Sequence, residues 1–113
     1  GELSFAEADF YLLKELEMLQ PFGMGNAEPV FASPPVRVKN LRGKPGFMIM
    51  ELTDEHSGIT LTAKAWRRLA DIPPNVKGKR ICLAYTPRID RYNGAATVEL
   101  RVKDWKLHED GVS

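Results

Sequence analysis

Between Pro21 and Pro29 the chain holds two prolines and two glycines in nine residues, and the hydrophobic period differs on either side of that run. Proline fixes φ and lacks an amide donor, while glycine opens left-handed angles, so the run cannot continue a helix or a strand and reads as a shaped connector. Before it, Ser4-Phe5-Ala6-Glu7 has the form of a capping box, in which a hydroxyl and a carboxylate satisfy the first free amides of a helix. Ala8, Leu12, Leu16 and Leu19 then recur at helical spacing, with Glu7, Asp9, Lys14, Glu15 and Glu17 between them. An amphipathic helix is expected from Ser4, ended by Pro21.

After Val30 the period changes to that of short strands. Five are predicted, roughly over Val36 to Leu41, Phe47 to Asp54, Ile59 to Trp66, Lys79 to Ile89 and Ala95 to Leu107. In the second, Met48, Met50 and Leu52 alternate with Phe47, Ile49, Glu51 and Thr53; in the third, Ile59, Leu61, Ala63 and Ala65 alternate with Thr60, Thr62, Lys64 and Trp66. Each therefore has one buried face. Glu55-His56-Ser57-Gly58 is a hairpin connection, and Asn93-Gly94 is the pair favoured by a type I′ turn, so both neighbouring pairs are expected to be antiparallel. The stretch from Arg67 to Gly78 is too long for a hairpin and contains Pro73-Pro74, which suggests a helical turn near Arg68 to Asp71. The expected class is all-β with an N-terminal helix. Its order, βββαββ, is that of a five-stranded OB-fold barrel, with an SH3-like barrel as the alternative. The chain divides into helix and connector (1–29), barrel (30–108) and C-terminal tail (109–113).

Composition narrows the function classes. The 113 residues suit one domain, 43% apolar and 27% charged, and no apolar run reaches membrane-spanning length. No membrane association is expected. The chain starts at Gly1 without the pattern of a secretory signal and reads as an excised piece of a longer protein. A single cysteine, Cys82, cannot form an internal disulfide, which suggests a cytoplasmic setting; Cys82 has no histidine near it in sequence and reads as a packing residue. His56 and His108 have no third ligand at metal-binding spacing, so no metal and no catalytic residue are assigned. A net charge of +1 means that any attraction for nucleic acid must come from local clusters.

The segment from Leu16 to Phe31, and above all Pro21-Phe22-Gly23-Met24-Gly25-Asn26-Ala27-Glu28-Pro29, resembles the helix and Pro-Phe-Gly-x-Gly-Asn-x-Glu-Pro signature that precedes the OB domain of RecJ-type exonucleases, members of the DHH phosphoesterase family. The likeness continues more weakly through Leu61-Thr62-Ala63-Lys64-Ala65-Trp66. Ala27 stands where the family commonly has proline, which relaxes the connector but removes no functional group. The Asp-His-His motifs that bind catalytic metal in the family do not occur in this sequence. The resemblance implies a C-terminal OB module without catalytic residues. Its parent would be a single-strand-specific 5′ DNA exonuclease of recombination and repair, with Mn2+ or Mg2+ held in other domains.

OB barrels bind nucleic acid across the second and third strands and between two loops, using cations for phosphates and aromatic rings for bases. At those positions stand Arg42 and Lys44, with Arg37 and Lys39 before them, then Lys64 and Arg67, then Arg88 and Arg91, and finally Arg101 with Lys103 nearby. Tyr92, at a hairpin tip, is the leading stacking candidate. Phe47 and Trp66 are further candidates, although packing beneath the N-terminal helix is the weightier reading for Trp66. Trp105 is read as covering the barrel end or another domain. Phe22, Gly23, Gly25 and Asn26 are read as an interdomain docking loop, since neither Walker nor dinucleotide-binding spacing accompanies the glycines. Two functions follow from these readings. One is a salt-sensitive single-stranded DNA grip. The other is a docking module that braces a nuclease core in the same chain or receives a protein partner such as single-strand-binding protein. A monomer is expected in either case.

Overall fold

The computed structural model describes residues 1–8, 28–92 and 94–108. The strands are β1 (Phe31–Ala32), β2 (Val36–Lys44), β3 (Phe47–Asp54), β4 (Ile59–Trp66), β5 (Arg80–Tyr92) and β6 (Ala95–Leu107). All five predicted strands are present. Two run further than expected, because Gly46, at φ +85°, lets β2 continue to Lys44 before a tight turn, and β5 pairs with β6 as far as Tyr92 and Ala95. The two-residue β1 carries no alternation that a sequence pattern could register; it exists because β5 offers it an edge, pairing Phe31 with Tyr85.

The ring closes in the order β5-β2-β3-β4-β6, with β6 pairing back onto β5. All its pairs are antiparallel except β4 with β6, which run parallel through Thr62–Glu99, Ala63–Leu100 and Lys64–Arg101. This is the OB order, and closure removes the free edges on which an open sheet would aggregate. The crossover between β4 and β5 is made of two short 3-10 turns, Arg67–Ala70 and Pro74–Val76. The first lies where a helical turn was predicted.

Inward side chains alternate as the sequence requires. Val36, Val38, Met50, Leu52, Ala63, Ala65, Ile81, Leu83, Tyr85, Val98, Leu100 and Val102 form one core, with Ile72 and Val76 of the crossover closing it. The N-terminal segment shares that core through Phe5 and Ala8. Phe5 meets Tyr85 edge-on at 6.4 Å, and the Tyr85 hydroxyl donates to the Leu3 carbonyl at 2.7 Å. Burial, together with the carboxylates of Glu7 and Asp54, pushes the Tyr85 phenol well above its ordinary pKa. The capping box forms as predicted: Ser4 N donates to Glu7 Oε1 (3.0 Å) and Glu7 N to Ser4 Oγ (3.2 Å), opening a helical turn over 5–8. The rest of the predicted helix and the Phe22, Gly23, Gly25 and Asn26 loop lie outside the described residues.

Candidate nucleic-acid interface

Strand alternation sends Phe47, Ile49 and Glu51 of β3 outward, beside Trp66, Lys64 and Thr62 of β4. The parallel β4–β6 register then sets Glu99 and Arg101 next to Thr62 and Lys64, and the β5–β6 register sets Arg88 opposite Glu99. Residues from four strands thus meet on one outer face. At one end of it the Phe47 and Trp66 rings stack at 5.4 Å and 19°. The Arg101 guanidinium lies 4.8 Å from the Trp66 ring centre, and the Lys64 ammonium 6.0 Å from that of Phe47. Among the described residues neither ring belongs to the barrel core. Trp66 is partly buried and takes part in this aromatic and cationic stack; most of the helix beneath which it was expected to pack lies outside the described residues.

Two grooves flank this stack. One, of about 450 Å3, is lined by Gly43, Lys44, Gly46, Phe47, Met48, Arg67, Arg68, Ala70 and Asp71. The other, of about 510 Å3, is lined by Trp66, Arg67, Leu69, Arg101, Val102 and Lys103. Arg67 serves both, and its backbone is left-handed at φ +58°, a conformation unusual for a side chain of this size. That sharp reversal ends β4 and starts the first 3-10 turn, so strain is stored where the two grooves meet. Among the described residues no carboxylate pairs with Lys44, Arg67, Arg68 or Arg101, and the buried Nε of Arg101 has no hydrogen-bond partner. Arg101 is held over the ring and not by an anion, which leaves its charge for a ligand.

A broader groove of about 980 Å3 crosses the middle of the same face and is lined by Arg42, Ile49, Glu51, Thr60, Leu61, Thr62, Lys64, Asp90, Thr97, Val98 and Glu99. Here the charges cancel. The Lys64 ammonium lies 2.9 Å from Glu99, whose side chain is only 11% exposed, and Glu51 and Asp90 line the same groove as Arg42. Arg88 is also engaged, 3.4 Å from Glu28, and Lys103 approaches the same carboxylate at 3.9 Å.

The predicted cations therefore separate into three groups. Lys44, Arg67 and Arg101 gather around Phe47 and Trp66; Arg42 and Lys64 share a groove with carboxylates; Arg88 is paired at the edge. Arg91 and Tyr92 end β5 beside the hairpin, and their side chains lie outside the described part. Arg37, counted among the cations near the first hairpin, is bound to Glu55 by two hydrogen bonds of 3.0 and 3.1 Å. Arg68 joins the free cations without having been singled out; the tandem Arg67-Arg68 directly after a strand was the available signal. Trp105 turns toward the core and away from the face of Arg101, because a bulge at Ala84/Tyr85 shifts the β5–β6 register and pairs Trp105 with Leu83.

The fold adds a contact that proximity in sequence does not show. Cys82 does have a histidine neighbour: Nδ1 of His108 lies 4.0 Å from its Sγ, since the β5–β6 register pairs Cys82 with Lys106 and His108 N donates to Arg80 O at 2.9 Å. Among the described residues no three His, Cys, Asp or Glu side chains come together to hold a metal ion, and no helix is long and apolar enough to cross a membrane.

The RecJ OB domain family matches residues 1–104. The chain belongs to that family. RecJ from Thermus thermophilus, solved in complex with Mg2+ and again with Mn2+, superposes with a TM-score of 0.56 at 24% identity, covering 87% of this chain and 14% of that one. A protein described as an aspartyl-tRNA synthetase from Leishmania major superposes with a TM-score of 0.63 at 15% identity, covering 95% of this chain and 20% of that one. At these identities the likeness is one of fold, and the chain spans a fifth or less of those proteins. No curated protein sequence matches it. The matched RecJ unit is the OB domain, a non-catalytic module.

Proposed function

We propose that this chain is the single-stranded DNA-binding OB module of a RecJ-type exonuclease that degrades single strands from the 5′ end in recombination and repair. The observation that carries the reading is the outward Phe47–Trp66 stack, capped by an Arg101 that pairs with no carboxylate among the described residues and flanked by Lys44, Arg67 and Arg68. Rings supply sequence-tolerant contacts to bases, and unpaired cations supply contacts to phosphates. Arg42, Lys64 and Arg88 contribute less, because carboxylates already share their surroundings. Arg91 and Tyr92 extend the interface at the hairpin. The Mn2+ or Mg2+ of such an enzyme belongs to its nuclease core, which this module adjoins in a cytoplasmic, monomeric protein. Phe22, Gly23, Gly25 and Asn26 serve as the docking loop against that core, and single-strand-binding protein is a further partner.

Fluorescence anisotropy of a labelled single-stranded oligonucleotide, at two salt concentrations and against a matching duplex, tests this. Salt-dependent binding that prefers the single strand is expected. No binding even at low salt would remove the DNA reading and leave a docking module that braces the nuclease core.

A further inference from the structure

Glu28 places one carboxylate between two cations of the candidate interface, 3.4 Å from Arg88 on β5 and 3.9 Å from Lys103 on β6. It is delivered there by its own backbone. The Pro29 carbonyl accepts a hydrogen bond of 2.8 Å from the fully buried Thr86 hydroxyl, and Phe31–Ala32 pairs with Tyr85 and Ala84 two residues further on. The β5–β6 register puts Thr86 opposite Arg101 and Arg88 opposite Glu99, so the anchored segment runs along the edge of the face that carries the Trp66 stack. The contact itself is loose: all three side chains are 35–44% exposed, and both distances exceed the 2.9 Å of the Lys64–Glu99 pair. Exposed ion pairs of this kind hold weakly and yield to a competing polyanion. An oxyanion bridging two cations from neighbouring strands is also the arrangement that a backbone phosphate would make there.

We propose that Glu28 is a built-in phosphate surrogate, which occupies Arg88 and Lys103 in the free chain and is displaced by the backbone of a bound single strand. The proposal rests on the nucleic-acid reading above and deepens it. The anchor at Thr86 stays in place, so the exchange requires only side-chain movement.

The test is anisotropy with a fluorescent oligo-dT strand on the parent chain, Glu28→Gln, Arg88→Gln and the double variant, at about 50 and 200 mM salt. Glu28→Gln is expected to bind roughly three- to tenfold more tightly at the lower salt, because no carboxylate has to be displaced from Arg88 and Lys103. Arg88→Gln is expected to cost little in the parent and several-fold more in the Glu28→Gln background. Equal affinity for the parent and Glu28→Gln overturns the surrogate while leaving DNA binding intact. Failure of both chains to bind at low salt overturns the nucleic-acid reading and this proposal with it. Independently of any variant, the Arg88 Nε–H resonance of the parent chain is expected to move in step with the oligonucleotide titration. An Arg88 signal that stays fixed while binding saturates overturns the proposal.

Discussion

The Phe47–Trp66 end of the outer face and the broad groove across its middle are built from the same strands, yet they hold their cations differently. Around the rings, Lys44, Arg67, Arg68, Arg101 and Lys103 line the two grooves with one carboxylate, Asp71, while Glu28 approaches Lys103 from outside them at 3.9 Å. In the middle, Arg42 and Lys64 share a groove with Glu51, Asp90 and Glu99, and Lys64 is bound to Glu99 at 2.9 Å. The number of cations on a face is therefore a poor guide to its pull on a polyanion; what counts is whether a neighbouring strand brings a carboxylate alongside. With a net charge of +1 for the chain, that local separation of charge is what supplies an anion-attracting region.

Substitution of the stack should separate the two regions most sharply. Trp66→Ala is expected to cost roughly 1 to 3 kcal/mol of single-strand affinity with an unchanged salt slope, whereas Thr62→Ala in the middle groove should leave anisotropy titrations where they were. Equal losses from the two changes would erase the distinction. Next in size is a contrast between charges. Arg101→Gln should flatten the salt slope by about 0.7, while Lys64→Gln, whose charge Glu99 already offsets, should change it far less. A matching drop for Lys64→Gln would mean that the ion pair opens on binding and that both regions grip the strand.

Arg67 allows the strain at the junction to be tested apart from its charge. Glycine tolerates the left-handed backbone, so Arg67→Gly should stay within about 1 kcal/mol of the parent in urea unfolding, yet lose about 0.7 of salt slope in binding. A large loss of stability would instead make Arg67 a packing residue. The smallest expected effect concerns the N-terminal segment, which lines none of these grooves. The hydrogen bond that the Ser4 backbone amide donates to the carboxylate, and after it the interaction with the Ser4 side chain, lower the Glu7 pKa, so Glu7 stabilises the fold above the ordinary carboxylate range and that contribution disappears as pH falls through the lowered value. Melting curves of the parent and Glu7→Ala should therefore converge as the pH falls below the ordinary carboxylate range.

Much of the barrel was legible in the residues. Strand-forming runs between turn residues located all five barrel strands, alternation gave the buried faces of Phe47–Asp54 and Ile59–Trp66, Ser4 and Glu7 announced the cap, and Asn93-Gly94 announced the closing hairpin. Phe47, Lys64, Trp66 and Arg101 were legible as outward residues for the same reason, since a strand has only two faces. Less was legible where pairing intervenes. Trp105 shares the parity of Arg101 and Lys103 along β6, and only the bulge at Ala84/Tyr85 turns it to the core. Cys82 and His108 are distant in sequence and meet because β5 and β6 pair along their whole lengths.

Local chemistry by itself thus determined where this chain extends, where it turns and which side chains face outward, because those choices depend on residues within a few positions of one another. Only the tertiary structure decided which outward charges are neutralised. Lys64 meets Glu99 through a parallel closure between strands that are not consecutive, and Arg88 and Lys103 meet Glu28 through a segment anchored at Thr86. Such encounters follow from register and ring closure, which bring residues dozens of positions apart into contact and leave no periodic trace in the sequence.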